Sequence, residues 1–73
     1  MPTIDIPAPM AGSVKELLVA VGDSVSAGAE LLIIESMKME IPLESPVAGR
    51  IAEILVTPPA TIEEGQVLIR VSA

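Results

Sequence analysis

The sequence predicts an all-β fold, a small sandwich or barrel assembled from two copies of one unit. The halves repeat one another, the apolar residues are aliphatic and suit strands, and turn signals recur every several residues. Sliding the 73-residue chain by thirty-seven positions lays Pro9, Ala11, Gly12, Glu16, Leu18, Val19, Gly28 and Leu31 on Pro46, Ala48, Gly49, Glu53, Leu55, Val56, Gly65 and Leu68 without a gap. Between these identities Val14 falls on Ile51, Leu17 on Ile54, Ser24 on Thr61, Val25 on Ile62, Leu32 on Ile69 and Ile34 on Val71. Shared glycines signal a shared backbone path rather than shared hydrophobicity. If a pseudo-twofold axis relates the halves, the segment joining them, Glu35-Ser36-Met37-Lys38-Met39-Glu40, is a singular place exposed at one end of the domain. Lys38 lies in it and is the candidate functional residue.

Thr3-Ile4-Asp5-Ile6 alternates polar and apolar and predicts a short strand stopped by Pro7-Ala8-Pro9. Met10-Ala11-Gly12 turns the chain. From Ser13 to Val21 a helical stripe of Val14, Leu17, Leu18 and Val21 competes with an extended reading. The valines, the bounding Gly12 and Gly22, and a second copy that runs into Pro58-Pro59 decide for a strand, with a bulge where alternation fails around Lys15 to Leu18. Gly22-Asp23 and Ala27-Gly28 bracket a very short strand at Ser24-Val25-Ser26. Leu31-Leu32-Ile33-Ile34 is too short for a helix and reads as a strand covered on both faces. In the second half, Pro42 between Ile41 and Leu43 demands an edge or a bulge, since proline cannot donate to a ladder. Ser45-Pro46-Val47-Ala48-Gly49 repeats the first turn, and Ile51 to Val56 repeats its strand. Pro58-Pro59-Ala60 stiffens a turn that the first half makes with Val21-Gly22-Asp23, and Glu63-Glu64-Gly65 turns into the last strand, Val67 to Val71. Gly12, Gly22, Gly28, Gly49 and Gly65 are all expected in turns.

Composition excludes more than it selects. Residues 1–73 make one domain with a small core and no room for a second. With no Phe, Trp or Tyr there is no aromatic platform for bases or sugars, and with no Cys or His there is neither a disulfide nor the usual acid, base or metal ligand. No metal site is expected, and adjacent Glu63 and Glu64 have no partner acid or base for hydrolysis. A formal charge of −6, against only Lys15, Lys38, Arg50 and Arg70, argues against nucleic acid and anionic membranes as partners. Nothing approaches a membrane span of about 20 apolar residues, and Asp5, Pro7 and Pro9 interrupt any signal-peptide pattern, so a cytoplasmic protein is expected.

Pro9-Met10-Ala11-Gly12, Gly22-Asp23, Gly28, Glu35-Ser36-Met37-Lys38-Met39-Glu40, Pro46-Val47-Ala48-Gly49 and Glu64-Gly65 together resemble the biotinyl domain of biotin-dependent carboxylases, within the wider biotinyl/lipoyl family. The resemblance covers nearly the whole chain and centres on the Met-Lys-Met triplet. It implies a flattened barrel or sandwich of two four-stranded antiparallel sheets with pseudo-twofold symmetry, biotin joined to Lys38 on a hairpin turn, and Met37 and Met39 as the residues linked to biotin rather than lipoyl choice. Ser36 stands where relatives commonly have Ala, Ala11 where many have a second proline, and Pro58-Pro59-Ala60 where a turn usually holds glycine. No inserted thumb loop lies between Val19 and Gly22, and no extension or Ala/Pro-rich tether precedes the domain, so a thumbless carrier, free-standing or excised, is expected.

The implied partners are a biotin protein ligase, a biotin carboxylase using ATP, Mg and bicarbonate, and a carboxyltransferase that passes the carboxyl to an acyl-CoA such as acetyl-CoA or propionyl-CoA, or to a 2-oxo acid. A carrier subunit of acetyl-CoA carboxylase, in fatty acid biosynthesis, fits that pattern. The chain itself catalyses neither step. A lysine is ordinarily protonated and a poor nucleophile at neutral pH, so Lys38 needs an activated donor, exposure and a rigid turn rather than a pocket. The alternatives are a lipoyl carrier of a 2-oxo-acid dehydrogenase complex, whose lysine usually sits in an Asp-Lys-Ala context, and a lipoyl-like adaptor of the membrane-fusion kind, whose half-motifs a long helical hairpin separates. For the neighbours, bland readings compete: Met37 and Met39 as apolar residues covering the core's end, Glu35 and Glu40 as a solvated rim, and Lys15, whose counterpart is Ala52, as solvated surface.

Overall fold

The computed structural model describes residues 2–73. Eight strands follow one another: β1 (Thr3–Pro7), β2 (Gly12–Leu17), β3 (Ser24–Val25), β4 (Glu30–Ser36), β5 (Met39–Glu44), β6 (Gly49–Ile54), β7 (Thr61–Ile62) and β8 (Val67–Ser72). They form two four-stranded antiparallel sheets, ordered β1-β8-β6-β3 and β5-β4-β2-β7. Moving each label four places along the chain turns one order into the other, which is the pseudo-twofold expected from the repeat.

The symmetry extends to single hydrogen bonds. Gly28 donates to Ser45 O at 2.7 Å and its counterpart Gly65 to Ala8 O at 2.9 Å. Val14 donates to Ala60 O and Ile51 to Asp23 O, each at 2.9 Å. One bond breaks the pattern: Gly22 donates to Ile51 O, but its counterpart Pro59 has no N–H to give Val14 O. The stiff second turn keeps the path and drops the bond.

The β2 strand confirms the extended reading of its segment but ends at Leu17, four residues short of Val21. Register shifts place one extra residue between Val14 and Glu16, and another between Ile51 and Glu53. The expected bulge is therefore Lys15, with Ala52 as its counterpart. Further shifts between Glu30 and Leu32 and between Ile6 and Pro7 let successive side chains turn inward. Leu31, Leu32 and Ile34, with Leu68, Ile69 and Val71, are 0% exposed and form the centre of the core between the sheets. Ile33 is only half-buried, so β4 is covered fully on one face rather than both. Pro42 lies on the edge strand β5, where its missing donor costs nothing.

Gly22, Gly28 and Gly65 have φ of 95°, 89° and 86° and serve as turn residues. Gly12 and Gly49 correct the expectation for turns, because each begins a strand. A Cβ on Gly12 would lie 2.6 Å from the carbonyl oxygen of Glu35, and one on Gly49 would run into the carbonyl of Ser72. What these positions require is close backbone approach, and for Gly12 that approach is to the end of β4, directly before the Lys38 turn.

Candidate functional site

β4 and β5 pair from Glu30↔Glu44 to Ser36↔Met39, leaving Met37 and Lys38 as a two-residue loop. Their φ values are 51° and 67°, so both central residues are left-handed and the turn has the primed twist that matches a right-handed hairpin. Such turns favour Asn-Gly, since each residue with a Cβ gives up about 1–2 kcal/mol in this region. Here two long side chains occupy positions that glycine or asparagine would fill at lower cost.

Exposure follows from the geometry. Met37 is 92% and Met39 62% exposed, and Lys38 is exposed between them. The methionines do not cover the end of the core, which corrects the bland reading of them. Instead they make a small apolar tip on either side of the amine. Among the described residues, Lys38 takes part in no ion pair. An amide-forming group needs an accessible primary amine on a flexible stem over a rigid base, and Lys38 meets that requirement.

Beneath the tip the surface is charged. Glu35 and Glu40 are a directly facing pair across β4 and β5. Lys15, on the bulge of β2, spans β4 and pairs with the Glu40 carboxylate. The hydrogen bond to Glu40 and then its charge hold the Lys15 amine above its usual value, with Glu35 and Glu16 adding to the effect. Lys15 is thus ion-paired rather than merely solvated, and Glu40 is more than a rim charge. Neither was legible: the residues are twenty-five apart in sequence, and a one-residue bulge decides which way Lys15 points.

The other ion pairs lie on the first sheet, where Arg70 of β8 donates to Asp5 at 3.0 Å and to Glu53 at 3.1 Å. Glu63 and Glu64 lie in the turn before β8. No group of three or more His, Cys, Asp or Glu fit to hold a metal occurs among the described residues. No helix there is long and apolar enough to cross a membrane.

Residues 4–71 match the family model described as biotin-requiring enzyme. The chain is 40% identical over 67 residues to the biotin carboxyl carrier protein of Streptococcus mutans, covering 92% of this chain and 52% of that one. It is 37% identical over 68 residues to the biotinylated protein TB7.3 homolog of Mycobacterium leprae, covering 93% of this chain and 96% of that one. Among solved structures, the urea carboxylase of Kluyveromyces lactis contains a region that superposes with a TM-score of 0.92 at 26% identity, covering 99% of this chain and 6% of that one. The chain belongs to the biotinyl/lipoyl attachment family. It spans about half the length of the Streptococcus carrier and nearly all of the Mycobacterium protein.

Proposed function

We propose that this domain is a biotin carboxyl carrier, with biotin in amide linkage to Nζ of Lys38. The observation that carries the reading is the left-handed Met37-Lys38 loop, which holds one amine clear of the body between two exposed methionines. A biotin protein ligase supplies the carboxyl activated with a leaving group. The Lys38 amine attacks the acyl carbon, the N–C bond forms, the bond to the leaving group breaks and that group departs, and the amine's proton passes to solvent to leave a neutral amide. When bound, biotin supplies a ring nitrogen that accepts and gives up a carboxyl group.

The chain's own part is presentation. The two-residue loop fixes where the tether starts, and the lysine stem gives it reach, so the group's local concentration at each partner site is high without a large interface. Met37 and Met39 offer an apolar contact to the enzymes that approach the tip. In this reading the chemistry belongs to the partners: a biotin carboxylase and a carboxyltransferase whose acceptor is an acyl-CoA or a 2-oxo acid. In this reading the carrier works in the cytoplasm, in the manner of an acetyl-CoA carboxylase subunit, and the chain is not itself an enzyme.

The test is transfer. Ligase-treated domain is incubated with a bacterial biotin carboxylase, Mg-ATP and radiolabelled bicarbonate, then separated rapidly by gel filtration. Label should travel with the wild-type domain and not with Lys38→Arg. Equal background on both proteins, with the wild type fully biotinylated, contradicts the carrier role.

A further inference from the structure

The pseudo-twofold provides an internal control for what the fold alone requires. Both halves have the same bulge on equivalent strands, at Lys15 of β2 and at Ala52 of β6. Only the first places a cation there, and only the first opposes it with a carboxylate, because the counterpart of Glu40 is Thr3. The Lys15–Glu40 pair is therefore not a demand of the β unit. It lies at the base of the attachment turn, two residues from Lys38.

The chain has two lysines, and they lie at the same end of one sheet. One is ion-paired and surrounded by Glu16, Glu35 and Glu40; the other is in no ion pair among the described residues. Acyl transfer to a lysine requires the neutral amine: the N–C bond forms, the bond from the acyl carbon to its leaving group breaks, and the ammonium proton passes to solvent. A carboxylate that binds the ammonium form of Lys15 suppresses that reaction there.

We propose that Glu40 is a specificity residue that occupies the Lys15 amine and so restricts acylation at this end of the domain to Lys38. The inference rests on the reading of Lys38 as an attachment site but concerns a different residue. Bulges commonly re-aim a side chain beside a functional site, and this one aims Lys15 across β4 onto Glu40. Glu40 thereby also ties β2 to the start of β5. The strength of an exposed pair corresponds to at most about a fivefold change in the fraction of free amine, which sets the size of the effect to look for.

The experiment uses a diffusible acyl donor, the N-hydroxysuccinimide ester of biotin, at limiting concentration and pH 7.5, with each label assigned by peptide mapping. In the wild type, Lys38 should be labelled several-fold more than Lys15, and the amino-terminal amine is scored separately. Glu40→Gln should raise Lys15 labelling about two- to fivefold and leave Lys38 within about 1.5-fold. Glu44→Gln, on the same strand but outside the pair, should change neither. Unchanged Lys15 labelling in Glu40→Gln overturns the proposal, as does an equal rise in Glu44→Gln. Because no ligase takes part, failure of the specificity role and failure of the carrier role are separate results.

Discussion

The strain at the Met37-Lys38 loop yields a stability prediction opposite in sign to the functional one. Lys38→Gly removes the Cβ from a residue at φ 67° and relieves about 1–2 kcal/mol, while the unfolded glycine chain takes back about 0.5–1 kcal/mol. At the midpoints of these ranges the net gain is about 0.75 kcal/mol, and at about 4–8 °C per kcal/mol for a domain of this size Tm should rise by about 3–6 °C. Lys38→Ala keeps the Cβ and the strain, so it should stay within about 0.5 kcal/mol of wild type. Adding Met37→Asn to Lys38→Gly creates the sequence this turn prefers and should raise Tm further. With no aromatic residue in the chain, thermal unfolding is followed by far-ultraviolet circular dichroism. Both Lys38 variants should be refused by a biotin ligase. A Lys38→Gly domain no more stable than Lys38→Ala would refute the claim that the tip is held in a costly conformation for the sake of its side chains.

Leu31 and Leu68 are counterparts, each 0% exposed, so Leu31→Ala and Leu68→Ala should each cost about 3–5 kcal/mol and agree within about 1 kcal/mol by urea denaturation. Gly12→Ala forces a Cβ against the Glu35 carbonyl and should cost about 1–3 kcal/mol; it should also slow ligase modification of Lys38, measured as initial rate, through displacement of β4. The Lys15 amine is raised from 10.5 by Glu40, so the folded state binds its proton more tightly than the unfolded state. That contribution is complete below the unfolded value and is lost as pH rises above about 10.5, so Lys15→Met should show a shallower alkaline loss of stability than wild type.

Most of the fold was legible because the repeat fixes so much at once. Eight identities at one offset imply two equivalent halves, the resemblance supplies the two four-stranded sheets, and the run from Leu31 to Ile34 with its copy at Leu68 to Val71 locates the core. The turn around Lys38 was legible as the seam between copies. What stayed hidden depended on single-residue offsets: that the expected bulge falls on Lys15 itself and sends its side chain to Glu40, and the early end of β2 at Leu17. The roles of Gly12 and Gly49 were hidden for a different reason, since glycine chosen for φ and glycine chosen for close approach look alike in a sequence. The exposure of Met37 was also beyond reach, because an apolar residue in a turn can cover the core or stand clear of it, and its sequence position does not decide between them.

The central claim is that Lys38 is the attachment residue, and the most direct measurement is intact mass after co-expression with a biotin ligase and excess biotin. The account predicts a gain of one biotin on essentially every chain, located at Lys38 by fragmentation and absent from Lys38→Arg. An unmodified mass, under conditions where an established carrier is fully labelled, would contradict it, and the same measurement with lipoate and a lipoyl ligase would then distinguish a lipoyl carrier from a domain that carries nothing.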